Sequence, residues 1–326
     1  MSFTLSDSPD YEFIHEVDPE PFVPKNDCLN QFIKIASIQQ FALAKRLKHL
    51  EISHVILGVS GGLDSALALL VAVQTFDFLA LDRQGIIAVT MPGLVTSQRT
   101  SSNARILIDA LGVTHREIDL KEHILDHLDL IGHDKKTEDT TYENAQARSR
   151  TMVLMNLANQ HNGLVLGTGD LSEIALGWST YNGDQMSMYN VNAGIPKTVV
   201  RFMIQSHADY GYDGSTKACL LDILKTPITP ELKKEQSTEA VIGKYEINDF
   251  ILYRFLVCGD TEDRIRFLLG KAFALDTDTI QHYTTQFFKR FYSQQFKRQA
   301  SPDSPKILDI SLSPRSDFRM PADVKR

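Results

Sequence analysis

The run Gly58-Val59-Ser60-Gly61-Gly62-Leu63-Asp64-Ser65 sets a glycine pair beside two hydroxyls and a carboxylate. Adjacent glycines let a backbone curl tightly and approach a ligand closely. Where a helix follows such a turn, its unpaired N–H groups and positive dipole end form a cradle for phosphate. No Gly-Lys-Ser/Thr follows, so this is not a Walker-type phosphate loop. Asp64 would repel a phosphate unless a divalent cation such as Mg2+ lay between them. Without a cation it is a favourable charge in a first helical turn, worth ~0.3–1 kcal/mol. Gly58, Ser60 and Gly62 also fit the G-x-S-x-G turn of hydrolases, with Ser60 as nucleophile. That chemistry needs a downstream acid and a histidine near strand ends. His161, His207 and His282 follow but sit in no obvious strand-end loop, and such an elbow usually comes after several strands, not the first.

A second group lies about a hundred residues on. Gly167-Thr168-Gly169-Asp170-Leu171-Ser172-Glu173 places Thr168 in a strand-end loop, and Asp170 with Glu173 fits a capping box. Asn144 and Arg148, four residues apart, share one helix face. Trp178 is the chain's one tryptophan and is flanked by Gly177, Ser179 and Thr180. Lys197 follows Pro196 in a strand-like context and offers positive charge to a phosphate. Phe287, Phe288, Phe291 and Phe296 alternate with Lys289, Arg290, Lys297 and Arg298, which reads as core with a charged outer face rather than a nucleic-acid patch.

These residues need a scaffold. Residues 1–29 read as an extended leader broken by Pro9, Pro19, Pro21 and Pro24, and 30–50 as an amphipathic helix. Short apolar runs at 54–59, 85–91, 115–118 and 163–167 read as strands, and 63–81, 100–111 and 140–161 as the helices between them. Thr140 is the expected cap of the last, with Glu143 three residues on. The polar stretch 121–139 reads as a solvated excursion, and its His123, His127 and His133 have no supporting ligand cluster for a metal. Alternation of strand and helix implies an α/β fold: a doubly wound, mostly parallel sheet with helices on both faces. Beyond Lys197 the pattern turns helical, with helices at 250–256 and 280–291, a long mobile loop near 225–246 and a coiled tail after Ala300. Residues 30–326 are expected to form one α/β domain with extra C-terminal helices.

Composition narrows the function further. The 326 residues carry 41 acidic and 34 basic side chains, a net charge of −7, which argues against broad nucleic-acid binding. The longest clean apolar run, 66–73, is far short of a membrane span, and the acidic N-terminus is no signal peptide. Three scattered cysteines, Cys28, Cys219 and Cys258, build neither a disulfide framework nor a zinc ribbon, and a reducing cytoplasm is the expected compartment.

Ser60-Gly61-Gly62-Leu63-Asp64-Ser65 resembles the pyrophosphatase-loop signature of ATP-dependent adenylating enzymes (the adenine nucleotide alpha hydrolase-like fold). The stretches 167–184 and 189–198, the helix start 142–148, Gln295-Phe296-Lys297-Arg298 and Leu312-Ser313-Pro314-Arg315 are similar to the NAD synthetase family, in particular the synthetase domain of its glutamine-dependent branch. The resemblance implies a carbon–nitrogen ligase that amidates deamido-NAD to NAD through an acyl-adenylate, with ATP as co-substrate and Mg2+ as cofactor. It places ATP at Ser60, Gly61, Gly62, Leu63, Asp64, Ser65, Ala66, Leu67, Thr168 and Lys197. It places deamido-NAD at Asn144, Arg148, Glu173, Trp178, Ser179, Thr180, Tyr181 and Lys297, with Trp178 stacked on the pyridine ring. Asp64 and Glu173 are the implied metal ligands, and Asp64, Asp184 and Lys197 the implied catalytic groups. Tyr181 stands where the ammonia-using branch has a lysine, and Asp184 matches an acidic position near the ammonia site. No nitrilase-like glutaminase domain with a Glu-Lys-Cys triad accompanies these motifs, so free ammonia is the expected donor. The alternative is the synthetase part of a split or truncated glutamine enzyme, served by a separate glutaminase. A homodimer with no nucleic-acid or membrane partner is expected.

Overall fold

The computed structural model describes residues 13–94, 98–226 and 238–324. The chain runs α1 (Cys28–Leu50), β1 (Val55–Gly58), α2 (Leu63–Phe78), β2 (Ile86–Thr90), α3 (Gln98–Leu111), β3 (Thr114–Glu117), α4 (Lys121–Leu130), α5 (Thr140–Gln160), β4 (Leu164–Gly167), α6 (Leu171–Leu176) and β5 (Tyr189–Asn190). Helices follow: α7 (Lys197–Ser206), α8 (Gly214–Leu224), α9 (Thr238–Ile242), α10 (Tyr245–Leu256), α11 (Glu262–Phe273), α12 (Thr277–Ser293) and α13 (Gln295–Gln299). The sheet order is β3-β2-β1-β4-β5 and every pairing is parallel. Val55 registers with Ile86 on one side and Leu164 on the other, so β1 is central. Its three apolar residues are buried on both faces, which explains why the strand reads as a continuous apolar run. With β1 central, the order reverses between β1 and β4, and open α/β sheets bind ligands at the carboxyl ends of strands flanking such a reversal.

The helix behind the glycine turn is apolar nearly all round. Leu67, Leu69 and Leu70 of α2 are fully buried, each contributing about 1.5–3 kcal/mol of burial. It packs between the sheet, α1 and α7, in one core cluster. A second apolar cluster joins α6 to α10, α11 and α12 through Phe250, Phe287, Phe288 and Phe291. No helix among the described residues is long and apolar enough to cross a membrane.

Several boundaries differ from the sequence expectations. Residues 121–139 are not wholly solvated: α4 buries Ile124 and Leu128, which with Leu120 form an i, i+4 stripe against Tyr142 and Ala145. The cap of α5 is Asp139, not Thr140; its backbone is extended at φ −95°, and its carboxylate accepts from Tyr142 N–H at 3.0 Å. His133 Nε2 lies 3.0 Å from the same oxygen, Asp139 Oδ1. The expected mobile loop falls partly outside the described residues (227–237), and α9 and α10 begin within its span. Strand β5 and helix α11 were not expected. Lys197 begins a helix rather than a strand, with Pro196 in the cap position.

His207 gives the fold an acid-sensitive point. Its ring is fully buried, edge-on to Phe32 at 4.8 Å, and neither nitrogen has a hydrogen-bond partner among the described residues. Burial pulls its pKa down to about 4. The unfolded chain, near 6.5, therefore binds more protons between those values, and stability is lost as pH falls through that window. The loss is about 2 kcal/mol by about pH 5. His207→Leu is expected to remove it. Urea unfolding of both proteins near pH 5 and 7.5 checks this: the variant should gain stability relative to the parent only at the lower pH. Asp249, which burial raises to about 6, runs the opposite way but is present in both proteins and cancels in the difference.

Candidate active site

The turn after β1 and the loop after β4 open into one cavity of about 640 Å³. Gly58, Val59, Ser60, Gly62, Leu63, Asp64 and Ser65 line it from one side, Thr168, Gly169 and Glu173 from the other. The turn is organised by its own hydroxyls. Ser65 Oγ accepts from Ser60 N–H at 3.2 Å and donates to Gly62 O at 3.2 Å, and Ser60 Oγ accepts from Gly62 N–H at 3.3 Å. Gly61 takes φ +85°, and a Cβ there would lie 2.0 Å from Thr100 O. A side chain is thus excluded on two independent grounds. The hydrolase alternative fails here. Ser60 Oγ bonds within the turn, while His161 faces His54, His207 faces Phe32 and His282 faces Tyr283.

The centre of the site is a buried ammonium among three carboxylates. Lys197 is 0% exposed, and its Nζ lies 2.6 Å from Asp64 Oδ2, 2.9 Å from Asp170 Oδ2 and 3.0 Å from Glu173 Oε1. It also sits 5.1 Å from the centre of the Tyr245 ring. Burial opposes its charge, but the carboxylates outweigh burial and hold it well above the usual lysine range. Burial pushes Asp170 well above the usual carboxylate range and Glu173 to about 7, against the pull of Lys197. Helix α6 is capped by the same groups: Asp170 accepts from Glu173 N–H at 2.8 Å, and Glu173 Oε2 accepts from Asp170 N–H at 3.3 Å. The capping pattern of Glu173 is thus realised, and the same carboxylate contacts the ammonium of Lys197. Asp249 of α10 accepts from Thr198 N–H at 3.0 Å and from the Ser172 hydroxyl, which in turn accepts from Lys197 N–H at 2.8 Å. This fixes the helix start that carries the lysine.

The cluster also suits a hard cation. Oxygens of Asp64, Asp170 and Glu173 lie within 4.8 Å of one another. Asp64 Oδ1 is buried without a hydrogen-bond partner among the described residues, a free oxygen of the kind divalent cations take.

The loop 177–184 forms the far wall. Asn144 Oδ1 accepts from Thr180 Oγ1 at 2.8 Å, Arg148 Nε donates to Tyr181 O at 3.3 Å, and Asp184 Oδ1 accepts from Thr180 N–H at 2.8 Å. Lys297 Nζ donates to Gly177 O at 2.8 Å and Ser179 O at 2.6 Å. These residues were singled out as ligand contacts, and the structure shows them shaping the loop that carries Trp178, Ser179, Thr180 and Tyr181. Asp184 is open to the cavity yet ringed by protein, an enclosure that raises its carboxyl above the ordinary range. Ala66, Leu67 and Lys197, all expected at ATP, are fully buried and do not line the cavity, the first two within the core and Lys197 among its three carboxylates. Gly61 shapes the turn from behind.

Sequence reasoning passed over Asn192, Asp170, Tyr245 and Arg290. Asn192 is fully buried, and its Nδ2 donates to Asp64 O at 3.0 Å and Thr168 O at 3.1 Å, pinning the two loops together. Gln39 of α1 holds it by donating to Asn192 Oδ1 at 3.1 Å. For Asp170 the signal was present, but the capping pattern accounted for it.

A glutamine-dependent NAD(+) synthetase of Mycobacterium leprae is 42% identical over 349 residues, covering 95% of this chain and 51% of that protein. The chain thus spans about half the length of the curated relatives it matches. Among solved structures, a glutamine-dependent NAD(+) synthetase from Cytophaga hutchinsonii superimposes with a TM-score of 0.72 at 16% identity, over 90% of this chain and 54% of that one. An NH3-dependent NAD synthetase from Campylobacter jejuni gives a TM-score of 0.56 at 22% identity, over 79% of this chain and 93% of that one. At such identities these two structures speak for the fold. The family model described as NAD synthase matches residues 35–300, and on that match this chain belongs to the NAD synthase family.

Proposed function

We propose that this chain amidates deamido-NAD to NAD, using ATP and ammonia and releasing AMP and pyrophosphate. The observation that carries the proposal is the glycine turn with Asp64, set opposite Glu173 and Trp178 in one cavity, with the ammonium of Lys197 buried behind the two carboxylates. The substrate carboxylate attacks the α-phosphorus of ATP, and the P–O bond to pyrophosphate breaks. The first-turn amides of α2 face the charge that develops on the leaving group, and Lys197, buried behind the cavity wall, holds Asp64 and Glu173 in place. Ammonia then adds to the acyl carbon, a proton leaves the nitrogen, and the bond to AMP breaks. Asp184, with its raised carboxyl, is placed to hold the incoming nitrogen or take that proton. Trp178 stacks on the pyridine ring. No enzyme nucleophile is needed, because the substrate supplies one. Asp64 and Glu173, with Asp170 beside them, would hold a Mg2+, which when bound neutralises phosphate charge.

The test is direct. The protein is incubated with ATP, Mg2+, deamido-NAD and ammonium, and NAD and AMP are measured. Equal yields of both are expected, and no NAD at any ammonium concentration overturns the reading. Glutamine in place of ammonium is expected to give no NAD with this chain alone. Asp64→Asn is expected to reduce AMP release by about a hundredfold or more. An unchanged yield would remove Asp64 from the chemistry.

A further inference from the structure

Three cations of the C-terminal helices reach the end of α6, and they are not equivalent. Lys297 spends its ammonium on Gly177 O and Ser179 O. Arg298 is buried, and its guanidinium bonds to Ala175 O at 2.9 Å, Ile174 O at 3.2 Å, Gln295 Oε1 at 2.6 Å and Phe291 O. Arg290 donates only through Nε, to Leu176 O at 3.0 Å. Among the described residues its two terminal amino groups have no hydrogen bond and no ion pair. Its guanidinium carbon lies 5.3 Å from the centre of the Trp178 ring, and both side chains line the cavity. Burial draws its pKa below the usual value, against a smaller opposing pull from Tyr245. A half-buried guanidinium with both amino groups unspent, on a cavity wall, suits a planar anion bound by two parallel hydrogen bonds.

We propose that Arg290 reads the carboxylate on the substrate's pyridine ring, and so separates the acid substrate from its neutral amide product. This rests on the amidation reading above. Acid and amide share the same diphosphate and the same adenosine, so only the ring substituent distinguishes them. A fixed cation beside Trp178 also offsets the repulsion as the carboxylate nears the α-phosphate. Once the amide has formed, that attraction is gone and the product is free to leave.

Equilibrium binding of deamido-NAD and of NAD, each to the parent protein, Arg290→Gln and Arg290→Lys, tests the proposal. In Arg290→Gln the Kd for deamido-NAD is expected to rise about tenfold or more, and that for NAD by less than about threefold. Arg290→Lys keeps the charge without the fork and should fall between. Equal weakening of both ligands assigns Arg290 to the shared diphosphate and overturns the proposal, as does no change in either. A parent protein with no preference for the acid overturns it too. ATP binding and thermal melts report folding; if the glutamine variant does not fold, the lysine variant decides, and an unchanged preference there overturns the inference. Turnover by the parent protein is measured alongside. Absence of NAD formation removes the amidation reading itself, whereas turnover with unchanged discrimination in the variants removes only the role of Arg290.

Discussion

Lys197→Met is expected to destabilise the protein by about 3–5 kcal/mol and to abolish AMP release. The side chain is fully buried, and its ammonium is the common partner of Asp64, Asp170 and Glu173. Removing it leaves three carboxylates facing one another with no cation between them. Breaking one member out of a buried charged group costs far more than an exposed pair of the same geometry, where ~0–1 kcal/mol is usual. Methionine keeps most of the volume, so the loss reports charge rather than a cavity.

A second substitution separates electrostatics from packing. If repulsion dominates, Asp170→Asn in the Lys197→Met background should restore stability, because it removes the most deeply enclosed carboxylate while keeping an acceptor for Glu173 N–H. Urea unfolding of the parent, both single variants and the double variant forms a closed cycle. Strict additivity would show that the lysine and the aspartate do not act on one another. Activity should not return in the double variant, since the cation that positions Asp64 and Glu173 is still missing.

The elements and the site were legible to different degrees. Strands β1, β2 and β4 stand out because residues buried on both faces leave unbroken apolar runs between turn residues. The two-residue β5 is too short to carry a pattern, and α4 hides its three-residue stripe among charges. In the site, the glycine turn with Ser60 and Asp64 stands out in a local strand–turn–helix context, whereas the roles expected of Thr168, Glu173 and Trp178 came from the family resemblance. Tyr245 and Arg290 reach the same cavity from α10 and α12, and only tertiary packing brings them there. Asn192 shows the same limit in another way. It sits inside a conspicuous motif, but its work is to bond the backbones of Asp64 and Thr168, 128 and 24 residues away. Lys197 was read as a charge for phosphate from its place after Pro196. Its burial among three acids, and the helix it begins, emerge only from packing.

Gly61→Ala is expected to reduce AMP release by about a hundredfold or more and to lower stability by more than its backbone strain alone. Two costs coincide at this residue. Its φ of +85° is disfavoured for any side chain, a penalty of about 1 kcal/mol. The added Cβ would also meet Thr100 O at 2.0 Å and Ala104 N at 3.2 Å, both backbone atoms of α3 that cannot swing aside. Either the turn or the helix must shift, and the turn leads into the first-turn amides of α2 that the proposed function sets against phosphate. Gly112 supplies the control. It too has a positive φ, +66°, but nothing lies within 4 Å of a Cβ built there. Gly112→Ala should therefore show the strain without the clash: a loss of about 1 kcal/mol in unfolding and unchanged AMP release. The difference between the two variants isolates the close approach of the turn to α3. If both lost the same stability and kept full activity, the tight packing behind the phosphate turn would have no part in its function.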